Sequence, residues 1–210
     1  MRVLVFGAST VQGYWDSQGG WADRLKRYYD QIQLKDLSKD VPHVMNLGIS
    51  GDGSAELLER IDPEIAARQN DKGVAVVISI GTNSAAMLRG EPVTDPGNFQ
   101  AELKRILLIA KKYTNKILLV GLPAVDESKT DPVAWFDMRF KNDRIKEFEN
   151  HVKDLAYQEG IGFVAVHDIM QSKTDEIMQS HDGLHPNDAG HQFIFELVRP
   201  AVDKMLEEES

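Results

Sequence analysis

The run Val74-Ala75-Val76-Val77-Ile78-Ser79-Ile80 constrains this chain most. It shows no apolar/polar alternation, so a strand built from it must bury both of its faces. That is the situation of a central strand in a parallel sheet covered by helices on either side. Four shorter segments rich in Val, Ile and Leu accompany it: Val3–Phe6, Val44–Leu47, Lys116–Val120 and Gly162–Val166.

Between these segments the apolar spacing becomes helical. Trp21, Leu25, Tyr28 and Tyr29 share one helix face, as do Phe99, Leu103, Ile106, Leu107 and Ala110. Ile145, Phe148, Val152, Leu155 and Ala156 follow the same rule. A last helix is expected from about Asn187, an N-cap residue, through Ile194, Leu197 and Val198, with Pro200 kinking or ending it. Alternating strands and helices predict an α/β fold, a three-layer α/β/α sandwich around a mostly parallel sheet. The 210 residues suffice for one sizeable core, so a single domain over 1–210 is expected. The longest loop is expected from Pro123 to about Asp137.

Charge and cysteine content narrow the function classes. Lys and Arg number 24 against 33 Asp and Glu, a net charge of −9. Without a basic cluster, that balance argues against binding nucleic acid or an anionic membrane. With no cysteine, a thiolate metal site or a cysteine nucleophile is ruled out. No apolar run approaches the roughly 20 residues of a membrane span, and Met1–Phe6 reads as a strand, not as a signal peptide. The expectation is a soluble cytoplasmic protein.

Ligands of open α/β sheets bind beyond the carboxyl ends of the strands. Four segments fall there: Gly7-Ala8-Ser9-Thr10, Gly48-Ile49-Ser50-Gly51-Asp52-Gly53, Gly81-Thr82-Asn83-Ser84 and Asp182-Gly183-Leu184-His185-Pro186. Taken singly, each has a plain structural reading as a cap, a turn or a surface loop. Together they hold the parts needed for acyl transfer. A serine hydroxyl needs an adjacent base, and histidine serves when a carboxylate fixes its tautomer. Ser9, His185 and Asp182 supply these groups. The backbone N–H of Ser9, the backbone N–H of Gly48 and the amide of Asn83 are the expected oxyanion-hole donors. No metal and no cofactor is required.

These residues also carry a resemblance. Phe6-Gly7-Ala8-Ser9, Asn46-Leu47-Gly48-Ile49-Ser50-Gly51-Asp52, Gly81-Thr82-Asn83 and Asp182-Gly183-Leu184-His185-Pro186 are similar, in order, to the blocks of the SGNH (GDSL-like) hydrolases. The resemblance implies a flavodoxin-like sheet of five parallel strands and a Ser9–His185–Asp182 triad. It also implies an oxyanion hole from Ser9, Gly48 and Asn83, with no metal. Two positions depart from the family pattern: Ala8 stands where an Asp usually precedes the serine, and Ser84 stands where Asp often follows the asparagine. The first removes a supporting hydrogen bond near the nucleophile.

Other readings compete. His181, Asp182, His185, Asp188 and His191 crowd into eleven residues and suggest a metal-dependent hydrolase, but Gly183 and Pro186 break the helix such a site needs. Gly51-x-Gly53 lacks the third glycine of a dinucleotide fingerprint, since position 56 is Glu56. Ala8 alone favours a catalytically impaired binding protein. The expectation adopted is a serine esterase for a small carboxylic, possibly acetyl, ester. Trp15, Met87, Trp135 and Phe136 are expected to line its substrate pocket, with Leu88 and Met138 beside them, and the absence of a membrane-binding segment favours a short acyl chain.

Overall fold

The computed structural model describes residues 1–173 and 179–207. Its centre is a parallel sheet of five strands: β1 (Arg2–Gly7), β2 (His43–Gly48), β3 (Val74–Ser79), β6 (Ile117–Val120) and β8 (Gly162–Val164). Their order is β2-β1-β3-β6-β8. The expected strands are all present, shifted by a residue or two at their ends. Register is set on both sides of β1, with Phe6 opposite Leu47 on β2 and Ile78 on β3.

Strand alternation divides the core in two. Leu4, Phe6, Val76 and Ile78 point to the face covered by α3 (Ser54–Ala66), α4 (Pro96–Ala110) and α6 (Asn142–Gln158). Val3, Val5, Ala75 and Val77 point to the face covered by α2 (Gly20–Lys35) and α8 (Asp188–Glu207). This is the expected α/β/α sandwich, and it explains why β3 carries almost no polar residue. Trp21 and Leu25 of α2 meet Ile194 and Val198 of α8 in the second cluster. In the first, the rings of Phe99 and Phe148 lie 4.6 Å apart and bind α4 to α6. Truncating either ring would cost about 3–5 kcal/mol. At the start of α4, the Asp95 side chain accepts Gly97 N–H at 2.8 Å, just ahead of Pro96 at the first helical position.

Two helices depart from expectation. Pro200 does not end α8, which continues to Glu207. A proline costs a helix interior about 3 kcal/mol, but Val198, Val202 and Met205 bury apolar surface on both sides of it. α3 carries Pro63 in its interior and was not expected. Leu57, Ile61 and Ile65, four apart, are its buried stripe, and Glu56 accepts Gly53 N–H at its start.

A second, small antiparallel sheet joins β4 (Met87–Leu88), β5 (Glu91–Pro92) and β7 (Met138–Arg139). Their two-residue length leaves no periodicity to read. The loop after β6 contains the short helix α5 (Glu127–Thr130) before it reaches β7. Two further short helices, α1 (Ser9–Gln12) and α7 (His167–Gln171), follow β1 and β8. Among the described residues, no helix is long and apolar enough to cross a membrane.

Candidate active site

The strand order reverses direction at β1 and β3, and the crevice beyond their carboxyl ends is where an open α/β sheet places its ligand. Ser9 opens α1 there. As the first residue of a helix, its backbone N–H has no partner four residues back. The turn is closed by Gln12 N–H on Ala8 O (2.9 Å) and Gly13 N–H on Ser9 O (2.9 Å). Ala8 itself packs against the core.

His185 reaches Ser9 from the opposite end of the sequence, with Nε2 2.9 Å from the Ser9 hydroxyl. Its Nδ1 lies 2.6 Å from Asp182 Oδ2. The Asp-x-x-His spacing has a local cause. Asp182 Oδ1 accepts the backbone N–H groups of Leu184 (2.9 Å) and His185 (3.0 Å), closing a tight turn that aims the imidazole at its other oxygen. Ser180 Oγ adds a third hydrogen bond to Oδ1 at 2.7 Å. Burial works against a charge at Asp182, but the hydrogen bonds from His185 and Ser180 outweigh it and hold the carboxyl far below its ordinary range. Ser9 and His185 are 8% and 7% exposed, so the pair is sheltered yet borders the cleft. The Tyr14 ring lies 4.9 Å from the imidazole.

Asn83 borders the same cleft. One hydrogen of its amide goes to Asp52 O at 2.9 Å, leaving the second for a ligand. Ser84, the departure beside it, is fully buried, and its hydroxyl accepts Ser54 N–H at 3.0 Å, tying this turn to the start of α3.

Gly48 does not take the expected place. Its N–H is committed to Asn46 Oδ1 at 3.0 Å, and it does not line the cleft. It is glycine for another reason: a β-carbon there would come within 2.3 Å of Gln12 N, so β2 could not pack against α1. Gly51, three residues on, does line the cleft beside Ser9 and Asn83. Its φ of 91° is a conformation that suits glycine. The sequence pattern offered both glycines without distinguishing them.

The cleft beside Ser9 has a volume of about 380 Å³. Its apolar walls are Tyr14, Trp15, Trp135, Met138, Phe140 and Leu184. Trp15 and Trp135 are therefore placed as expected, whereas Met87 and Phe136 are not. Met87 pairs with Arg139 in the small sheet and lines a separate groove with Arg89 and Arg144. Phe136 meets the guanidinium of Arg89, 6.0 Å from its ring centre. Met138 of β7 does line the cleft, and Phe140, the residue just beyond β7, lines it without having been expected there.

The histidine-rich stretch does not converge. His181 is exposed, the Asp188 carboxylate takes the N–H and hydroxyl of Ser17, and His191 is buried against Trp21 N–H at 3.3 Å. Among the described residues, no three His, Asp or Glu side chains form a group that could hold a metal ion.

A Ser–His–Asp line beyond the carboxyl ends of a parallel sheet is an arrangement that acyl-transfer chemistry can use. The chain belongs to the GDSL-like Lipase/Acylhydrolase family, whose model matches residues 5–193. A human protein named isoamyl acetate-hydrolyzing esterase 1 homolog is 26% identical over 219 residues, covering 98% of this chain and 82% of that one. Among solved structures, a lipase/acylhydrolase from Enterococcus faecalis superposes with a TM-score of 0.77 at 21% identity, covering 100% of this chain and 99% of that one. The acetylxylan esterase Axe2 from Geobacillus stearothermophilus gives 0.70 at 18% identity, covering 99% and 94%. These two likenesses concern the fold.

Proposed function

We propose that the protein hydrolyses a small, neutral carboxylic ester, with an acetyl or similarly short acyl group, through an acyl-Ser9 intermediate. The observation that carries this reading is the continuous hydrogen-bonded line Ser9–His185–Asp182, at 2.9 and 2.6 Å. His185 takes the Ser9 proton as Oγ bonds to the ester carbonyl carbon. The tetrahedral oxyanion is held by the Asn83 amide, Ser9 N–H and the main chain of Gly51, which replaces Gly48 in this role. Collapse of the intermediate breaks the bond to the alcohol oxygen, and His185 protonates the departing alcohol. Water, deprotonated by His185, then attacks the acyl carbon, the bond to Ser9 Oγ breaks as His185 returns the proton to Ser9, and the acid leaves. Asp182 holds the imidazole tautomer and balances the imidazolium charge.

The aromatic walls of the cleft suit an apolar alcohol portion, and the name of the human relative points to an acetate ester of that kind. Hydrolysis of p-nitrophenyl acetate by the wild type and by Ser9→Ala, with a chelator in both, tests the mechanism. Activity that survives the chelator and is lost in the variant supports it. Full activity in Ser9→Ala, or loss in the chelator restored by zinc, overturns it.

A further inference from the structure

Trp15 lies closer to the chemistry than a pocket wall needs to be. Its indole Nε1–H donates to Asp182 Oδ2 at 2.7 Å, the same oxygen that takes His185 Nδ1. Its backbone has a φ of 64°, in the left-handed region where a β-carbon is crowded. Packing does not account for that conformation, because Trp15 is 62% exposed. Strain of this kind at a cleft is a reason to look for a function.

The segment around Trp15 is fastened at both ends. Tyr14 N–H bonds to Ser9 O at 3.0 Å, which ties it to the nucleophile's helix. Immediately after Trp15, the buried Asp16 carboxylate pairs with Arg24 at 2.8 Å and accepts Gly20 N–H at 2.7 Å. Ser17 N–H then bonds to Asp188 Oδ1 at 2.9 Å, at the start of α8. The segment thus links the nucleophile's helix to the element that follows the Asp182–His185 turn. Its two aromatic side chains divide the work: the Tyr14 ring lies against the His185 imidazole, and the Trp15 indole holds the carboxylate.

We infer that Trp15 is a positioning residue for the triad, its indole N–H fixing the Asp182 carboxylate in the orientation that orders His185. This rests on the Ser9–His185–Asp182 reading. The other hydrogen bonds to Asp182, from Ser180, Leu184 and His185, come from its own turn. Among the described residues, Trp15 supplies the one that comes from the nucleophile's side of the cleft. It fixes the plane of the carboxylate relative to Ser9 as well as to His185. By sharing Oδ2, it also weakens that oxygen as a proton acceptor. The proton therefore stays on His185 Nδ1 while the imidazolium forms.

Trp15→Phe keeps an aromatic ring and removes the N–H. Its kcat on p-nitrophenyl acetate should fall about ten- to 100-fold, the scale of one hydrogen bond to a charged group, while KM changes less than about twofold. The far-downfield proton resonance of His185 Nδ1–H, read by NMR, should move at the same time. A raised KM with unchanged kcat and an unmoved resonance would make Trp15 only a wall of the pocket and overturn the inference. The wild type supplies a second test that needs no variant. The indole N–H of Trp15 should exchange with water more slowly than that of Trp135, which is 58% exposed and so comparably open to solvent. Equal exchange rates overturn the inference as well. Neither NMR reading depends on turnover, so each can be repeated in Ser9→Ala. Retained activity in Ser9→Ala would count against the triad mechanism, and an unmoved resonance would count against Trp15 alone.

Discussion

Arg60 Nε lies 2.7 Å from Asp52 Oδ2, and the same guanidinium donates through Nη2 to Gly7 O at 3.1 Å. One side chain of α3 therefore joins the turn after β2 to the end of β1, just ahead of Ser9. Because Asp52 O also accepts the Asn83 amide, the three turns that surround the proposed oxyanion position share one brace.

Arg60→Met should be destabilising and slow. It leaves the largely buried Asp52 carboxylate without its cation, and stranding one partner of such a pair costs about 3–5 kcal/mol. The expected result is a lower urea midpoint with an unchanged m-value, together with reduced kcat. A midpoint equal to that of the wild type would show that the pair braces nothing.

Asn83→Ala removes a donor that is proposed to strengthen its bond as charge develops on the carbonyl oxygen. Its kcat should fall about 100- to 1,000-fold with KM little changed, the pattern of an interaction made mainly in the transition state. Steady-state kinetics on p-nitrophenyl acetate read this directly. A rise in KM alone would place Asn83 in ground-state binding.

His191 should contribute a pH-dependent share of stability. Burial pushes its imidazole below the ordinary value, against the opposing pull of the Asp16 carboxylate. Its Nδ1 must stay unprotonated to accept Trp21 N–H. A base whose folded pKa is depressed stabilises the fold fully above its unfolded pKa and loses that contribution as pH falls through the interval down to the folded value. Thermal unfolding temperature should therefore decline below about pH 6.5. The slope should be shallower in His191→Gln, with the buried His167 contributing the remainder. Parallel pH profiles for wild type and variant would remove His191 from the account.

Trp135→Ala should act on binding rather than on chemistry. The side chain borders the cleft, and no hydrogen bond joins it to the triad among the described contacts. Removing it should raise KM for an aryl or branched-alkyl acetate about three- to tenfold, with kcat nearly unchanged, as expected for lost apolar contact alone. An acyl-chain series should also show best turnover at short chains. A best turnover above about ten carbons would contradict the small-ester assignment made from the cleft.

Much of the site was legible because its information is local. Asp182 and His185 are three residues apart and build their own turn, so the proposed pair could be read from one segment beyond a strand end that resembles a family block. The five strands were legible because each is a short apolar run in a sheet buried on both faces. The errors arose where three-dimensional context decides. Gly48 and Gly51 look alike in sequence, and only the bond from Gly48 N–H to Asn46 and the positive φ of Gly51 separate them. Met87 and Phe136 were expected in the pocket as apolar neighbours of site segments, but the small sheet brings Met138 to the cleft and sets Met87 in another groove. Pro63 and Pro200 hid helical continuity, because tertiary burial overrode their local cost. Arg60 and the indole N–H of Trp15 gave no sequence signal at all, since their partners lie 8 and 167 positions away.

Asp182→Asn joins these local and long-range contacts in one experiment. The carboxylate accepts from Ser180, Leu184 and His185 N–H on one oxygen, and from His185 Nδ1 and Trp15 on the other. An amide has one accepting oxygen and one donating NH₂, so one of these two sets must face a donor. Keeping the oxygen toward the turn preserves the backbone there and turns NH₂ toward His185. The imidazole then places its proton on Nε2, where it can no longer take the Ser9 proton. kcat should fall by about 10⁴-fold while the folded structure survives, the scale seen when a triad histidine is held in the wrong tautomer. Turnover within about tenfold of the wild type would mean that Asp182 does not set the tautomer, and the proton-transfer scheme would have to be rebuilt around another group.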